Sequence, residues 1–161
     1  MVINIKKTDK ASIIPTTGSQ YAAGLDLYAL TPFDTVTIPA GHTVKVGTGI
    51  CMEIPNGYFG VIFARSGLAT KRGLRPANCV GVIDSDYRGE IIVALHNDTD
   101  KDEVINCGDR IAQIVIIPYL PVTLSEVDEL SDTTRGDGGF GSTGVSQEPT
   151  YEQLSLFDMM K

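Results

Sequence analysis

This chain of 161 residues has only three cysteines, Cys51, Cys79 and Cys107, and no Cys-x-x-Cys pair. With only His42 and His96 available as partners, a structural zinc centre is not expected; reduced, partly buried thiols are. No apolar run approaches the roughly 18 residues of a membrane helix. The longest, Ile111–Ile117, is interrupted by Gln113 and stopped by Pro118. Met1 to Lys7 offer no apolar stretch of signal-peptide length, so a cytoplasmic location with no membrane partner is expected. Basic residues are scarce, 13 against 20 acidic for a net charge of −7, which disfavours a protein that wraps nucleic acid directly. The imbalance is local: residues 1–121 carry 12 acids and 11 bases, residues 122–161 carry 8 acids and 2 bases. A near-neutral body still suits a small anion, because nearby arginines and backbone N–H groups decide that binding.

What is present is an ordinary globular composition, 42% hydrophobic and 20% charged, at the length of one domain. Val2–Ile5, Gly24–Ala29, Thr35–Ile38, Thr43–Val46, Tyr58–Ala64, Ile91–Leu95 and Arg110–Ile117 are rich in β-branched and aromatic residues and mostly alternate with period two. Turn signals separate them: Pro39-Ala40-Gly41, Pro55-Asn56-Gly57, Asn97 to Asp100 and Asn106-Cys107-Gly108. Pro55-Asn56-Gly57 predicts a hairpin joining Cys51–Ile54 to Tyr58–Ala64. Only Ser66–Lys71 reads as helix. The fold class is therefore all-β: an antiparallel sandwich, barrel or jelly roll. The strand pattern stops beyond Val127, and residues 131–146 hold five glycines. The expected division is a β domain over 1–130, a glycine-rich arm over 131–146 and a tail over 147–161.

Four stretches stand out chemically. In Ala64-Arg65-Ser66-Gly67-Leu68-Ala69 a strand meets the helical turn, whose free N–H groups beside Arg65 suit a phosphate; the plainer alternative makes Ser66 an N-cap and Arg65 a surface charge. In Gly81-Val82-Ile83-Asp84-Ser85-Asp86-Tyr87-Arg88-Gly89, Asp84 follows an apolar pair and could orient a water, or simply cap a hairpin turn. Gly108-Asp109-Arg110-Ile111-Ala112-Gln113 suggests an Asp109–Arg110 structural pair, with Gln113 a polar exception in an apolar strand. Arg135-Gly136-Asp137-Gly138-Gly139-Phe140-Gly141-Ser142-Thr143-Gly144 can lay N–H groups on phosphate oxygens, with Phe140 a stacking ring; it lacks the Gly-Lys-Ser/Thr ending of a P-loop.

Together with Ala23-Gly24-Leu25-Asp26-Leu27-Tyr28-Ala29, these stretches resemble, in order and spacing, the five motifs of the trimeric dUTPase family, over roughly residues 2–144. Ala64 departs from the proline common before Arg-Ser-Gly. The resemblance implies a jelly-roll-like β-barrel, a homotrimer with C-terminal arm exchange, and three active sites at subunit interfaces. The implied reaction is hydrolysis of dUTP to dUMP and pyrophosphate with Mg2+ on the triphosphate, limiting uracil in DNA and supplying dUMP for dTMP synthesis. Asp84 would orient and help deprotonate the water, and Asp26 would hold the magnesium ion's water shell. Arg65, Ser66, Gly67 and Gln113 would bind phosphates; Arg135, Gly141, Ser142 and Thr143 would close over the triphosphate with Phe140 stacked on uracil. Asn78, Gly81 and Val82 would read the base within a hairpin spanning residues 78–89, and Tyr87 would pack under the sugar. A related fold, the dCTP deaminase, differs at the catalytic motif; ammonia release from dCTP would identify it.

Beyond these motifs, Gln153-Leu154-Ser155-Leu156-Phe157 resembles the pentapeptide with which replication proteins dock on the bacterial sliding clamp. A flexible acidic tether would deliver two leucines and a phenylalanine to an apolar groove, with Gln153 as the polar anchor; the plainer alternative is that these residues fold back onto the barrel or a neighbouring subunit.

Overall fold

The structure is a computed structural model that describes residues 1–140 and 142. The chain falls into two compact units, Met1–Val122 and Thr123–Lys161. In the first unit the strands are β1 (Asn4–Lys7), β2 (Thr16–Thr17), β3 (Leu25–Tyr28), β4 (Thr35–Ile38), β5 (Thr43–Gly47) and β6 (Ile50–Glu53). They are followed by β7 (Tyr58–Phe63), helix α1 (Ser66–Arg72), β8 (Leu74–Pro76), β9 (Gly81–Ile83), β10 (Ile92–Asn97), β11 (Glu103–Asn106) and β12 (Arg110–Pro118). All pairings are antiparallel. The largest sheet runs β2-β3-β12-β7-β9, beside β5-β10-β8 and the pairs β1-β6 and β11-β4. Neighbours in space are rarely neighbours in sequence, the crossing pattern of a jelly roll.

The core follows the alternation. Val93 and Leu95 of β10 point inward between exposed or half-exposed residues, while Ile111 and Ile114 of β12 are fully buried against Leu27, Ile38, Ile50 and Ile105. β12 is the spine of the large sheet because it pairs on both sides, with β3 and with β7. Helix α1 buries only Leu68, carries Lys71 and Arg72 in its last turn and ends on Gly73 at a φ of 61°.

Pro55-Asn56-Gly57 does form a turn, with Gly57 at a φ of 84° and the Tyr58 N–H donating to the Pro55 carbonyl at 3.1 Å. It is not the expected hairpin. β6 pairs with β1, and β7 pairs with β12 and β9, so the turn is a corner between sheets. Turn chemistry specifies that the chain reverses; burial of Ile50 and Met52 on one strand and of Val61 and Ile62 on the other chooses their partners. Residues 78–89 differ in the same way: β9 pairs with β7, and residues 84–90 return as turns and bends rather than as a second strand. Cys51 is half-buried as expected, whereas Cys79 and Cys107 lie exposed in turns.

One buried polar side chain organises a corner of the core. Asn97 is fully buried; its Nδ2 donates to the carbonyls of Ile38 at 2.9 Å and Lys101 at 2.7 Å, and its Oδ1 accepts the Thr99 N–H and hydroxyl. Every polar atom of that amide is used, so removing it strands the buried Ile38 carbonyl and the Thr99 N–H, while the Lys101 carbonyl keeps the Thr99 hydroxyl at 3.0 Å. Asn97→Ala is expected to lower unfolding free energy by about 3 kcal/mol, read as a lower urea midpoint at unchanged m-value.

Candidate active site

Asp26 lies on β3 directly opposite Gln113 on β12, and Gln113 is in turn opposite Phe63 on β7. Side chains facing one way from these three strands converge where β7 ends and α1 begins. Asp26 is only 8% exposed. Its Oδ1 accepts Arg65 Nε at 2.8 Å and its Oδ2 accepts Arg110 Nη1 at 3.2 Å. A bulge in the β3–β12 register between Arg110 and Ala112 accompanies this inward reach of Arg110. Gln113 Nε2 donates to the Ala64 carbonyl at 2.9 Å, and a methyl group added at Gly24 would lie 2.7 Å from Gln113 Oε1. Glycine is what allows strand β3 to begin against that amide.

These groups line a cavity of 680 Å³ that holds Asp26, Arg65, Ser66, Gly67 and Gln113 together with Lys71, Arg72 and Arg110. Four cations face one carboxylate. Arg72 is occupied, its Nε donating to Glu103 at 2.7 Å and its Nη2 to the Val104 carbonyl at 2.6 Å, whereas Lys71 has no ion-pair partner among the described residues. The surplus positive charge, concentrated in a concave wall, suits a polyanion. Ser66 is not an N-cap: Arg65 holds that position without a side-chain capping bond, and Ser66, the first helical residue, is exposed.

Asp84 is elsewhere. It lines a separate cavity of 580 Å³ with Asn56, Phe59, Ser85, Asp86 and Tyr119, where Phe59 and Tyr119 meet edge-to-face at 6.1 Å between ring centroids. The Asp84 carboxylate has no hydrogen-bond or ion-pair partner among the described residues. Its loop is nevertheless held: Tyr87 N–H donates to the Asp84 carbonyl at 3.2 Å, and Arg88 Nη1 donates to the carbonyls of Ser85 at 2.7 Å and Tyr87 at 3.0 Å. Tyr87 hydroxyl donates to the Glu90 carbonyl at 2.9 Å and leaves the ring partly exposed. Gly81 and Val82 lie on β9, with Val82 exposed, and Asn78 stands in the turn before it.

The expected Asp109–Arg110 pair does not form. Asp109 accepts the Asn106 N–H at 2.9 Å, closing the turn before β12, and Arg110 goes to Asp26 instead. Sequence reading thus missed Arg110, Lys71 and Arg72 in the cationic cavity. Nothing local to Arg110 indicates a partner on another strand.

In the second unit Arg135 Nε donates to the Gly138 carbonyl at 2.9 Å. Gly136, Gly138 and Ser142 N–H groups close successive turns on Thr133, Arg135 and Gly139. Phe140 is fully exposed with a φ of 45°. Gly141, Thr143 and the pentapeptide Gln153 to Phe157 lie outside the described residues.

Among the described residues no three His, Cys, Asp or Glu side chains cluster as a metal cage. The cavity instead holds one carboxylate, Asp26, each of whose oxygens accepts a single N–H and keeps acceptor capacity, which would fit a hydrated divalent cation held through its waters.

The family model for dUTPase matches residues 10–144. The deoxyuridine 5'-triphosphate nucleotidohydrolase of Hydrogenobaculum sp. is 48% identical over 145 residues, 90% of this chain and 99% of that protein. The enzyme of the same name from Desulfitobacterium hafniense is 50% identical over 87% of this chain and 93% of its own length. Among solved structures, the Staphylococcus bacteriophage 80alpha dUTPase with dUpNHpp superposes with a TM-score of 0.82 at 28% identity, covering 89% of this chain and 99% of that one. The match in sequence runs through both cavities and the match in structure through the jelly roll that holds them; this chain belongs to the dUTPase family.

Proposed function

We propose that this chain hydrolyses dUTP to dUMP and pyrophosphate in a homotrimer whose active sites form between subunits. The observation that carries the reading is the separation of Asp84, a carboxylate without a partner among the described residues, from a cationic cavity around Asp26, Arg65 and Arg110. Each half is chemically incomplete. A triphosphate needs cations, and a water needs an acceptor for its proton, so a site shared between copies unites the two. Relatives named for this reaction, and the phage enzyme solved with dUpNHpp, support the substrate.

In the assembled site Arg65, Ser66, Gly67 and Gln113 bind phosphate oxygens from one subunit. Asp84 of another subunit accepts a proton from the water as its oxygen bonds to the α-phosphorus and pyrophosphate leaves. A carboxylate is a weak base compared with the hydroxide it helps to form, so alignment of that water carries most of the effect. A magnesium ion on the triphosphate would supply neutralisation of the charge on the departing group. Asp26, which anchors Arg65 and Arg110, would hold that ion's water shell. Asn78, Gly81 and Val82 contact the base, Tyr87 lies under the deoxyribose, and the arm brings Arg135, Phe140, Gly141, Ser142 and Thr143 over the nucleotide. The product dUMP feeds dTMP synthesis, the removal of dUTP limits uracil in DNA, and the setting is cytoplasmic.

Asp84→Asn is expected to lower kcat by about 10² to 10⁴ with KM little changed, measured as pyrophosphate release from dUTP; parental kcat in this variant would refute Asp84 as the base. Chelation of magnesium should suppress the parent's rate and readdition restore it. Gly24→Ala pushes the Gln113 amide from its seat and should lower kcat/KM for dUTP by about tenfold to a hundredfold while the melting temperature stays near the parent's.

The tail adds recruitment. Gln153, Leu154, Ser155, Leu156 and Phe157 dock on a bacterial sliding clamp, and three tails per trimer gain avidity on a ring of repeated grooves. A Thr150–Lys161 peptide should bind purified clamp with a Kd on the order of micromolar, and Leu156→Ala with Phe157→Ala should abolish it. Equal binding by the double variant would remove the clamp from this reading and leave the hydrolase intact.

A further inference from the structure

Arg75 belongs to none of the five motifs, yet its contacts lead to the turn that carries Asn78. It is the middle residue of β8, between buried Leu74 and Pro76, so its side chain leaves the core beside His96, its register partner on β10. Nε and Nη2 donate to the two oxygens of Asp98 at 2.7 and 3.0 Å, a bidentate fork. Nη1 reaches the Pro76 carbonyl at 3.4 Å. That carbonyl also accepts the Cys79 N–H at 3.1 Å, closing the turn Pro76 to Cys79 around Asn78.

The turn is an unusual one. Cys79 takes a φ of 61°, and the Val80 N–H folds back on the Asn78 carbonyl at 2.6 Å. A side chain other than glycine adopts this shape only where its surroundings impose it. Asp98 is the fixed end of the linkage. Its N–H donates to the Gly73 carbonyl at 2.9 Å, and His96 Nε2 lies 3.4 Å from its Oδ1 while Thr43 Oγ1 meets His96 Nδ1 at 2.9 Å. The hydrogen bonds and the charge of Asp98 raise Arg75 above the ordinary arginine value. Arg75 and Asp98 are 38% and 43% exposed, so the pair adds little to global stability; what its fork supplies is position.

We infer that Arg75, anchored on Asp98, is a positioning residue for base selection: it holds the Pro76–Cys79 turn in the shape that presents Asn78 to the pyrimidine edge. The inference rests on the reading of Asn78 as a base-contacting residue. Recognition of a hydrogen-bonding edge depends on donor and acceptor placement far more steeply than apolar contact does, so a loosened turn should cost discrimination first.

The test uses the full chain with Arg75→Gln, Arg75→Lys, Asp98→Asn and the Arg75→Gln/Asp98→Asn double variant, assayed on dUTP, dCTP and dTTP alongside melting temperature. Expected are a KM for dUTP about tenfold higher in each single variant, kcat within about threefold of the parent, and a dUTP-over-dCTP preference in kcat/KM narrowed by about tenfold. Lysine should not rescue, because it lacks the fork. The double variant should be no worse than either single one, as for members of one linkage. Unchanged KM and preference in folded variants, or an equal loss on all three nucleotides, would overturn the inference. Should Arg75→Gln fail to fold, the nearly isosteric Asp98→Asn carries the same comparison. A parent that fails to hydrolyse dUTP defeats the functional reading and this inference with it, whereas an active parent with indifferent variants defeats the role of Arg75 alone.

Discussion

The carboxylate of Asp26 is the joint on which the cationic cavity depends. Buried on β3, it would be costly as a lone charge, and it is tolerated because Arg65 and Arg110 each donate to one of its oxygens. Those arginines stand 39 and 84 residues away in sequence, one at the β7–α1 junction and one at the start of β12. A single buried charge therefore ties three strands of the large sheet at one end. The same pairing leaves the trio with a net positive charge, so the joint that organises the fold also sets the sign of the site. Removing either arginine would loosen the wall and leave the carboxylate half-compensated, which is why structure and binding are hard to separate at this place.

The all-β class was legible in sequence because long strands with clear alternation bury one face. β3, β4, β5, β7, β10 and β12 all lie where period-two runs of Val, Ile, Leu and Thr suggested, within a residue or two at the ends. Of the strands that escaped, β2, β8 and β9 have two or three residues, too short for a period to register, and β11 sets its two apolar residues, Val104 and Ile105, side by side rather than alternating. Pairing escaped for a different reason. Pro55-Asn56-Gly57 encodes a reversal, but partner choice belongs to the whole core, and β7 finds β12 across more than fifty residues. The site divides along the same line. Asp26, Arg65, Ser66, Gly67 and Gln113 were legible through ordered local motifs and share one cavity, whereas Arg110 beside Asp109 invited a local pair that the turn at Asn106 had already claimed. Arg75 escaped because its partner, Asp98, follows β10 rather than preceding or following β8.

The separation of Asp84 from the arginines has an electrostatic logic of its own. A carboxylate and a guanidinium about 4 Å apart attract by about 4 kcal/mol at the intermediate dielectric of a protein surface. Were Asp84 within reach of Arg65 or Arg110 in one chain, it would be drawn into a pair, as Asp26 is, and its lone pairs would be spent on N–H groups rather than on water. Keeping it in a different cavity, with its loop tied down by the Arg88 side chain and the Tyr87 N–H but its carboxylate uncommitted among the described residues, preserves an acceptor for water. On the proposed reading the two halves meet only through neighbouring subunits and a triphosphate that occupies the cations first. Assembly then does more than bury surface. It brings base and cations together after the substrate has screened them from each other, so the oligomer becomes a condition of the chemistry rather than an addition to its stability.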